Sequence, residues 1–488
     1  MAKRKRSSKR PQARHKRKGN PSRFDKRRRL DNPNPQRRKT DRAKVPLVGF
    51  LASMASSMAG ILDARMAFRL SIVMAGMMLA DDRRVAASWF AAAGVGDDWD
   101  RFYDCLISIG RNVGALAVLV VIAVLRKFDP GPEGHVTIGG DDSPTKRYGR
   151  HVEGAGVHHN PTPGPADGEW MYGHNWVSLC FLARHASWGV IALPLRSLLY
   201  VRAQDVPPLK KKYGWKFRTK HELMVELVTW FVKTLRALRF LCTIWFVADG
   251  AYAARPVLKP LLELGVVIFS RLRKDAKLFD LPGTPKAGRR GRHPIYGLNR
   301  ISLAKRAANK HGWQTITYHC RGVEVTRQVK AFLATSKLVS GIIRVLIVRF
   351  EDGSWAPYFC TDPEVSVRDI LETIAARWAV EEHFHDVKEV WGAGQQQVRN
   401  IWSNIGCWHL NQWMYTLVEL SSWDGAQSDL ADRSDRPWDN PARRPSHADR
   451  RRAIAKKMLE KRFLADLHDT PNTNKFRRLI ADILSLCA

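Results

Sequence analysis

"HVTIGGDDS", residues 135–143, is a short strand-forming run that ends in two glycines and then two carboxylates. Upstream the chain reads as helix; from 134 on it reads as strand. "WVSLCFLARH" (176–185) and "WGVIALPLRSLLYV" (188–201) continue the strand texture. A helix at 220–238 leads into "FLCTIWFVADG" (240–250), which also ends in an acid and a glycine. A helix opening on Pro256 (254–265) and the strand "VVIFSRL" (266–272) follow. Three strands, a helix, a strand, a helix and a strand describe an α/β mixed sheet with a meander at its start. In such sheets, acids at the carboxyl ends of strands face the crevice where sites form. That singles out Asp141 and Asp249. The two glycines before Asp141 are expected to leave room for a ligand against the backbone. The competing readings are a turn at "GGDDSP" and an N-cap at Asp249.

A third acid lies in "ARWAVEEHFHDVKEVW", residues 376–391. Taking Arg377 as the origin, at about 100° per residue, Glu381 falls at about 40° and Lys388 at about 20°. Val380, Phe384, Val387 and Trp391 fall between about 280° and 340° and form one apolar stripe. Glu382, Asp386 and Glu389 take the wet side. Arg377, Glu381 and Lys388 therefore share a narrow face beside the buried one, either as a functional site or as a solvated helix with i,i+4 pairs. Three carboxylates without sulfur suit Mg²⁺ or Mn²⁺. Two such ions, roughly 3.5–4 Å apart, serve phosphodiester chemistry. Arg377 and Lys388 would grip phosphates.

The bulk numbers agree with a polyanionic partner. The 488 residues carry a net charge of +35, with 81 Lys and Arg against 46 Asp and Glu. Residues 1–44 hold 20 basic residues and 3 aspartates, so much of the excess lies outside this tail. Nucleic acid is the leading inference. The seven cysteines are scattered without a C-x-x-C pair, which excludes a zinc ribbon or disulfide scaffold and suits a reducing cytoplasm. The longest apolar run, 114–125, is too short to span a bilayer and reads as a buried helix, so no membrane partner is expected.

The pattern divides the chain as follows. Residues 1–45 are a basic tail expected to be disordered. Residues 46–130 form a helical region. Within it, 81–110 reads as helix, Gly-Val-Gly turn, helix, with Asp97 or Asp98 as cap, either a helix-turn-helix or a plain α-hairpin. Residues 131–281 form the first part of a catalytic domain. Residues 282–364 are a basic linker and a β-rich insertion, and "GRRGR" at 288–292 is either a minor-groove contact or a solvated linker. Residues 365–422 hold the helix of Glu381 and Trp-rich helix after it. Residues 423–488 are a polar linker and basic C-terminal helices.

"GDDSPTKRYGRHVEG", "YGHNWVSLCFL", "WFVADGAYA" and "RWAVEEHFHDVKE" resemble the DDE transposases of insertion sequences that carry a Y-x2-R-x3-E-x6-K signature. Arg377, Glu381 and Lys388 match its last three positions, while Ile374 stands where the tyrosine would be. The resemblance covers roughly residues 85–420. It implies a ribonuclease H-like catalytic core with a β-rich insertion, and Asp141, Asp249 and Glu381 as ligands of two Mg²⁺ or Mn²⁺ ions, with Asp142 as the alternative to Asp141. It implies that the helical region 46–130 is the terminal-repeat DNA-binding domain, with nicking at the element's terminal inverted repeats and transfer of the 3′-hydroxyl into target DNA. It also implies at least a homodimer on paired ends, in the cytoplasm with the nucleoid. Trp391, Trp402 or Trp408 would stack on a flipped base, or else pack the core. His383 and His385 are not ligands in that family. The rival readings are a catalytically inactive, transposase-derived sequence-specific DNA-binding protein, an RNA- or ribosome-binding protein, and a resolvase-like nuclease.

Overall fold

The computed structural model describes residues 45–465, apart from 82, 97–98, 132–133, 161–162, 165–167, 284–293, 432, 434–437 and 441–442. The basic tail, the Asp97 or Asp98 cap, the "GRRGR" segment and the last C-terminal helix lie outside the described residues. Five helices come first: α1 (Gly49–Ala59), α2 (Ala64–Leu79), α3 (Ala86–Ala92), α4 (Asp100–Arg111) and α5 (Val113–Lys127). Asp63 caps α2, its carboxylate accepting from the Arg65 and Met66 amides. The apolar run at 114–125 falls in α5 and is largely buried. Among the described residues no single helix is long and apolar enough to cross a membrane.

The strands follow as β1 (His135–Lys146), β2 (Gly156–His159), β3 (Trp170–His185) and β4 (Gly189–Tyr200). Helices α6 (Val206–Tyr213) and α7 (Lys220–Ala237) lead to β5 (Thr243–Ala248), α8 (Arg255–Glu263) and β6 (Val267–Arg271). A capping box of Thr219 and Glu222 starts α7. Next come β7 (Leu278–Phe279), β8 (Arg300–Ile301), α9 (Leu303–Ala308), β9 (Gln314–Cys320), β10 (Val323–Ser336), β11 (Gly341–Arg349) and β12 (Trp355–Cys360). The chain then runs through α10 (Val367–Ala376), α11 (Trp378–Glu389), α12 (Ile401–Ser422), α13 (Gln427–Leu430) and α14 (His447–Ala465).

The described strands form one mixed sheet in the order β2-β3-β1-β5-β6-β12-β11-β10-β7-β8, with β4 beside β3 and β9 beside β10. β1 is antiparallel to β3 and parallel to β5, and β5 is parallel to β6. The mixed α/β sheet expected from the sequence is present. The β-rich stretch after the linker extends this sheet, because β12 pairs antiparallel with β6.

Helix α12 explains the depth of the core. Nearly all its side chains are buried, as befits a helix apolar on most faces. It packs against β4 on one side and along α4 on another. The α4 contact brings backbones together: a Cβ on Gly110 would stand 1.9 Å from the Trp402 carbonyl oxygen, and one on Gly406 2.1 Å from that of Leu106. A backbone cannot rotate away as a side chain can. Gly110→Ala should therefore cost about 1–3 kcal/mol or more, read as a lower denaturant midpoint; an unchanged midpoint contradicts this packing.

Candidate active site

β1 and β5 run side by side until Gly140 lies opposite Ala248. There β5 ends, while β1 continues along β3 with Asp141 opposite Ser178 and Asp142 opposite Val177. Asp141 and Asp249 thus emerge together at the notch where one parallel neighbour stops. Asp141 lies within β1, which runs on to Lys146 along β3, so neither the strand-end placement expected from the sequence nor the turn reading of "GGDDSP" holds; it is the parallel partner β5 that stops here. Asp249 precedes a 3-10 turn at Gly250–Tyr252, yet its exposed side chain makes no capping bond. Its carboxylate is left to the notch.

The two adjacent aspartates differ in their partners. Asp142 is held by the Lys220 ammonium at 2.6 Å and by the Tyr252 hydroxyl, which donates at 2.9 Å. Burial, with Asp142 next, holds the Tyr252 phenol well above its usual range. Asp141 accepts from the Asp142 amide at 2.8 Å and faces Arg377 at 3.3 Å. Burial pushes its carboxyl up to about 7; Asp142 and Asp249 push the same way, while the Asp142 amide and Arg377 pull it down. A half-buried acid crowded by like charges is what a divalent cation would relieve. The all-oxygen donor set fits Mg²⁺ or Mn²⁺.

The glycines before Asp141 do not leave room for a ligand, contrary to the sequence expectation. A Cβ on Gly139 would meet Val380 Cγ2 at 2.8 Å, and one on Gly140 the Met224 sulfur at 2.6 Å. The space is taken by α11 and α7 packing onto the strand. Gly139 in particular lets the helix that carries Glu381 approach β1.

Arg377 marks the junction of α10 and α11, with helical φ and ψ of −55° and −33°. Its guanidinium reaches Glu381 at 2.7 Å as well as Asp141. Val380, Phe384, Val387 and Trp391 are buried, as the helical angles required. Burial pushes the Lys388 ammonium down to about 8, and it has no hydrogen-bond or ion-pair partner among the described residues. The structure therefore brings Asp141, Asp249, Arg377 and Glu381 to one place, with Lys388 two turns on from Glu381 along α11. Among the described residues no three acids, histidines or cysteines stand close enough to form a ready metal cage. Arg377 lies between two of the candidates.

Other side chains came without warning. Lys220 and Tyr252 reach Asp142 across 78 and 110 positions, which no linear motif spans. Beside Asp249 lies a cavity of about 270 Å³ lined by Arg271, Tyr318, Arg321, Tyr358 and Trp378. Ile374, the departure from the signature, also lines it, so aromatic hydroxyls enter from β9 and β12 instead. Trp391 and Trp408 are 1% and 2% exposed. Trp408 stacks on Trp176 at 4.9 Å, and Trp391 donates to His447 at 2.8 Å. Trp402 packs on Tyr213 and Trp215. Trp391 and Trp408 pack the core, where no flipped base can reach them. His383 is buried against Gln412, and His385 is exposed.

Residues 226–417 match the family model of the transposase DDE domain, a stretch that holds Asp249 and Glu381 but not Asp141. No curated protein sequence matches the chain. Among solved structures, the cryo-EM structure of a piggyBac transposase synaptic complex with hairpin DNA is similar over 88% of this chain and 75% of that one, at 11% identity and a TM-score of 0.37. Overlap so loose carries no weight for the site.

The position of Asp141 has a consequence for stability. Its carboxyl titrates near 3.8 when unfolded and near 7 when folded. Between those values the folded state holds the extra proton, so stability falls as pH rises. Asp141→Asn removes that penalty. In EDTA the variant should melt several degrees above the native protein at pH 8, with the gap narrowing toward pH 5 and closing only below about pH 4. A native protein at least as stable at pH 8 contradicts the crowded acid.

Proposed function

We propose that this chain is a DNA transposase with a ribonuclease H-like core, which cleaves the terminal inverted repeats of an insertion sequence and joins the 3′-hydroxyl to target DNA. What supports the reading is the Arg377 bridge between Asp141 and Glu381, with Asp249 at the end of the neighbouring parallel strand. Two of these acids lie within the stretch that matches the transposase DDE domain. The three would hold Mg²⁺ or Mn²⁺, in two ions; bound there, the metal would activate water or the 3′-hydroxyl and stabilise the leaving oxygen.

The chain's own residues have separable tasks. Asp142, clamped by Lys220 and Tyr252, fixes the middle of β1 where β5 stops, and so aims Asp141. Arg377 pairs with Asp141 and Glu381, and its guanidinium would bind a strand phosphate where these acids held a metal. Lys388, its charge weakened by burial, regains a full proton beside a phosphodiester. Two copies on paired ends would bring both cleavage points to one target.

The test is cleavage and strand transfer of the DNA flanking the coding gene by purified protein in Mg²⁺ or Mn²⁺. Native protein should cut and join. Glu381→Gln should lose at least about a thousandfold in rate while still binding DNA, the scale of a lost essential group. Asp142→Asn should retain part of the activity, because its role is support. Binding without cutting under either metal favours the inactive DNA-binding reading, and an active Glu381→Gln removes Glu381 from the chemistry.

A further inference from the structure

β1 and α11, the elements that carry Asp141 and Glu381, meet again beyond the site. β1 runs on through Thr145 to Arg147 and Tyr148. α11 runs past Lys388 into the connection that leads to α12. They close together at Gly394, whose φ is +100° and where a Cβ would stand 3.0 Å from that of Thr145. Beside this contact opens a cleft of about 630 Å³. Four strand residues at about 3.3 Å each put Thr145 roughly 13 Å from Asp141, about four base-pair steps at 3.4 Å.

The connection is held from within. Buried Arg147 donates to the carbonyls of Gly394 at 2.6 Å and Gln396 at 2.9 Å. Buried Gln396 donates to the carbonyls of Arg84 and Gly392, at 2.9 and 2.8 Å, and accepts from the Gly394 amide at 3.2 Å. Arg84 in turn donates to the Glu389 carbonyl at 3.1 Å. Exposure alternates along the chain: Gln395 out, Gln396 in, Gln397 out, Val398 in, Arg399 out. Arg83 and Tyr148, the latter 90% exposed, face the same cleft. None of these five outward side chains makes a hydrogen bond or ion pair among the described residues, and no acid among them lines the cleft.

A rigid backbone that presents two amides, two guanidinium groups and an exposed aromatic ring, all unused internally, suits a specific ligand. Glutamine pairs with adenine and arginine with guanine through two hydrogen bonds each, and arginine also binds phosphate. A tyrosine ring gives a stacking or backbone contact. Ordinary surface solvation would not require the buried Arg147 and Gln396 frame beneath it.

We propose that this cleft reads the sequence of the DNA adjoining the cleavage point, with Gln395, Gln397 and Arg399 on base edges and Arg83 and Tyr148 on the strand beside them. The assignment rests on the transposase reading for the place of the cut, but its test reads binding alone. The full chain carrying Glu381→Gln would be titrated at 200 mM salt with fluorescent 40-base-pair duplexes tiled across the flanks of the coding gene, and with shuffled duplexes of the same composition. We expect one flank duplex to bind at least about tenfold tighter than its shuffled counterpart. Adding Gln395→Ala, Gln397→Ala and Arg399→Ala should bring that ratio close to one, with little change in affinity for shuffled DNA and none in melting temperature. A ratio that survives the triple substitution overturns the proposal. So does a parent protein that discriminates no duplex, or one that prefers RNA of the same sequence. Because the parent cannot cut, failure of the cleavage chemistry leaves this result unaffected.

Discussion

The Arg377 guanidinium stands between Asp141 at 3.3 Å and Glu381 at 2.7 Å, joining carboxylates 240 positions apart in the chain. The arrangement exists because α11 lies close on β1, and α11 lies close because Gly139 has no side chain where Val380 sits. Without the arginine, two acids and the nearby Asp249 would face one another in a half-buried notch, where like charges are weakly screened. Arg377 is thus the internal counter-ion of Asp141 and Glu381. Its bidentate reach suits it to release a carboxylate and take up a phosphate without leaving the notch.

The surroundings hold that notch in place. Lys220 from the start of α7 and Tyr252 from the turn after β5 grip Asp142, so two elements outside β1 fix the strand where its parallel neighbour stops. α12, buried along most of its length and in backbone contact with α4, supports the far face of β4 and its neighbours. The helices before β1 share one continuous core with the sheet and α12. A site built between a strand, a turn and a helix needs that rigidity, because a shift of about 1 Å in any of them separates its members.

Much of this was legible in the sequence, and for identifiable reasons. The strands that carry Asp141 and lead into Asp249 are marked by apolar residues, although β1 runs past Asp141 to Lys146, and the stripe of Val380, Phe384, Val387 and Trp391 fixes the rotation of α11. Those periodicities place Glu381 on the correct edge of its helix. What the sequence did not carry were meanings set by tertiary partners. The two glycines looked like space for a ligand but receive Val380 and Met224. Asp142 stood as an alternative to Asp141, and nothing in the sequence announced its partners Lys220 and Tyr252 from far along the chain. The tryptophans offered for base stacking were partly core, because α12 is buried on nearly every side. The alternation of Gln395, Gln396 and Gln397 carried no signal in the sequence, since its order comes from Arg147 beneath.

The most direct measurement of the central claim is Mn²⁺ binding followed by electron paramagnetic resonance on the full chain, with Asp141→Asn, Asp249→Asn and Glu381→Gln each compared with native protein. If the three acids form one centre, native protein takes up Mn²⁺ and each single substitution weakens that uptake by about tenfold or more, the scale expected when one ligand is lost. Uptake unchanged in all three variants would contradict the account, because the metal would then sit elsewhere and the convergence of these carboxylates would be an ion-pair network alone.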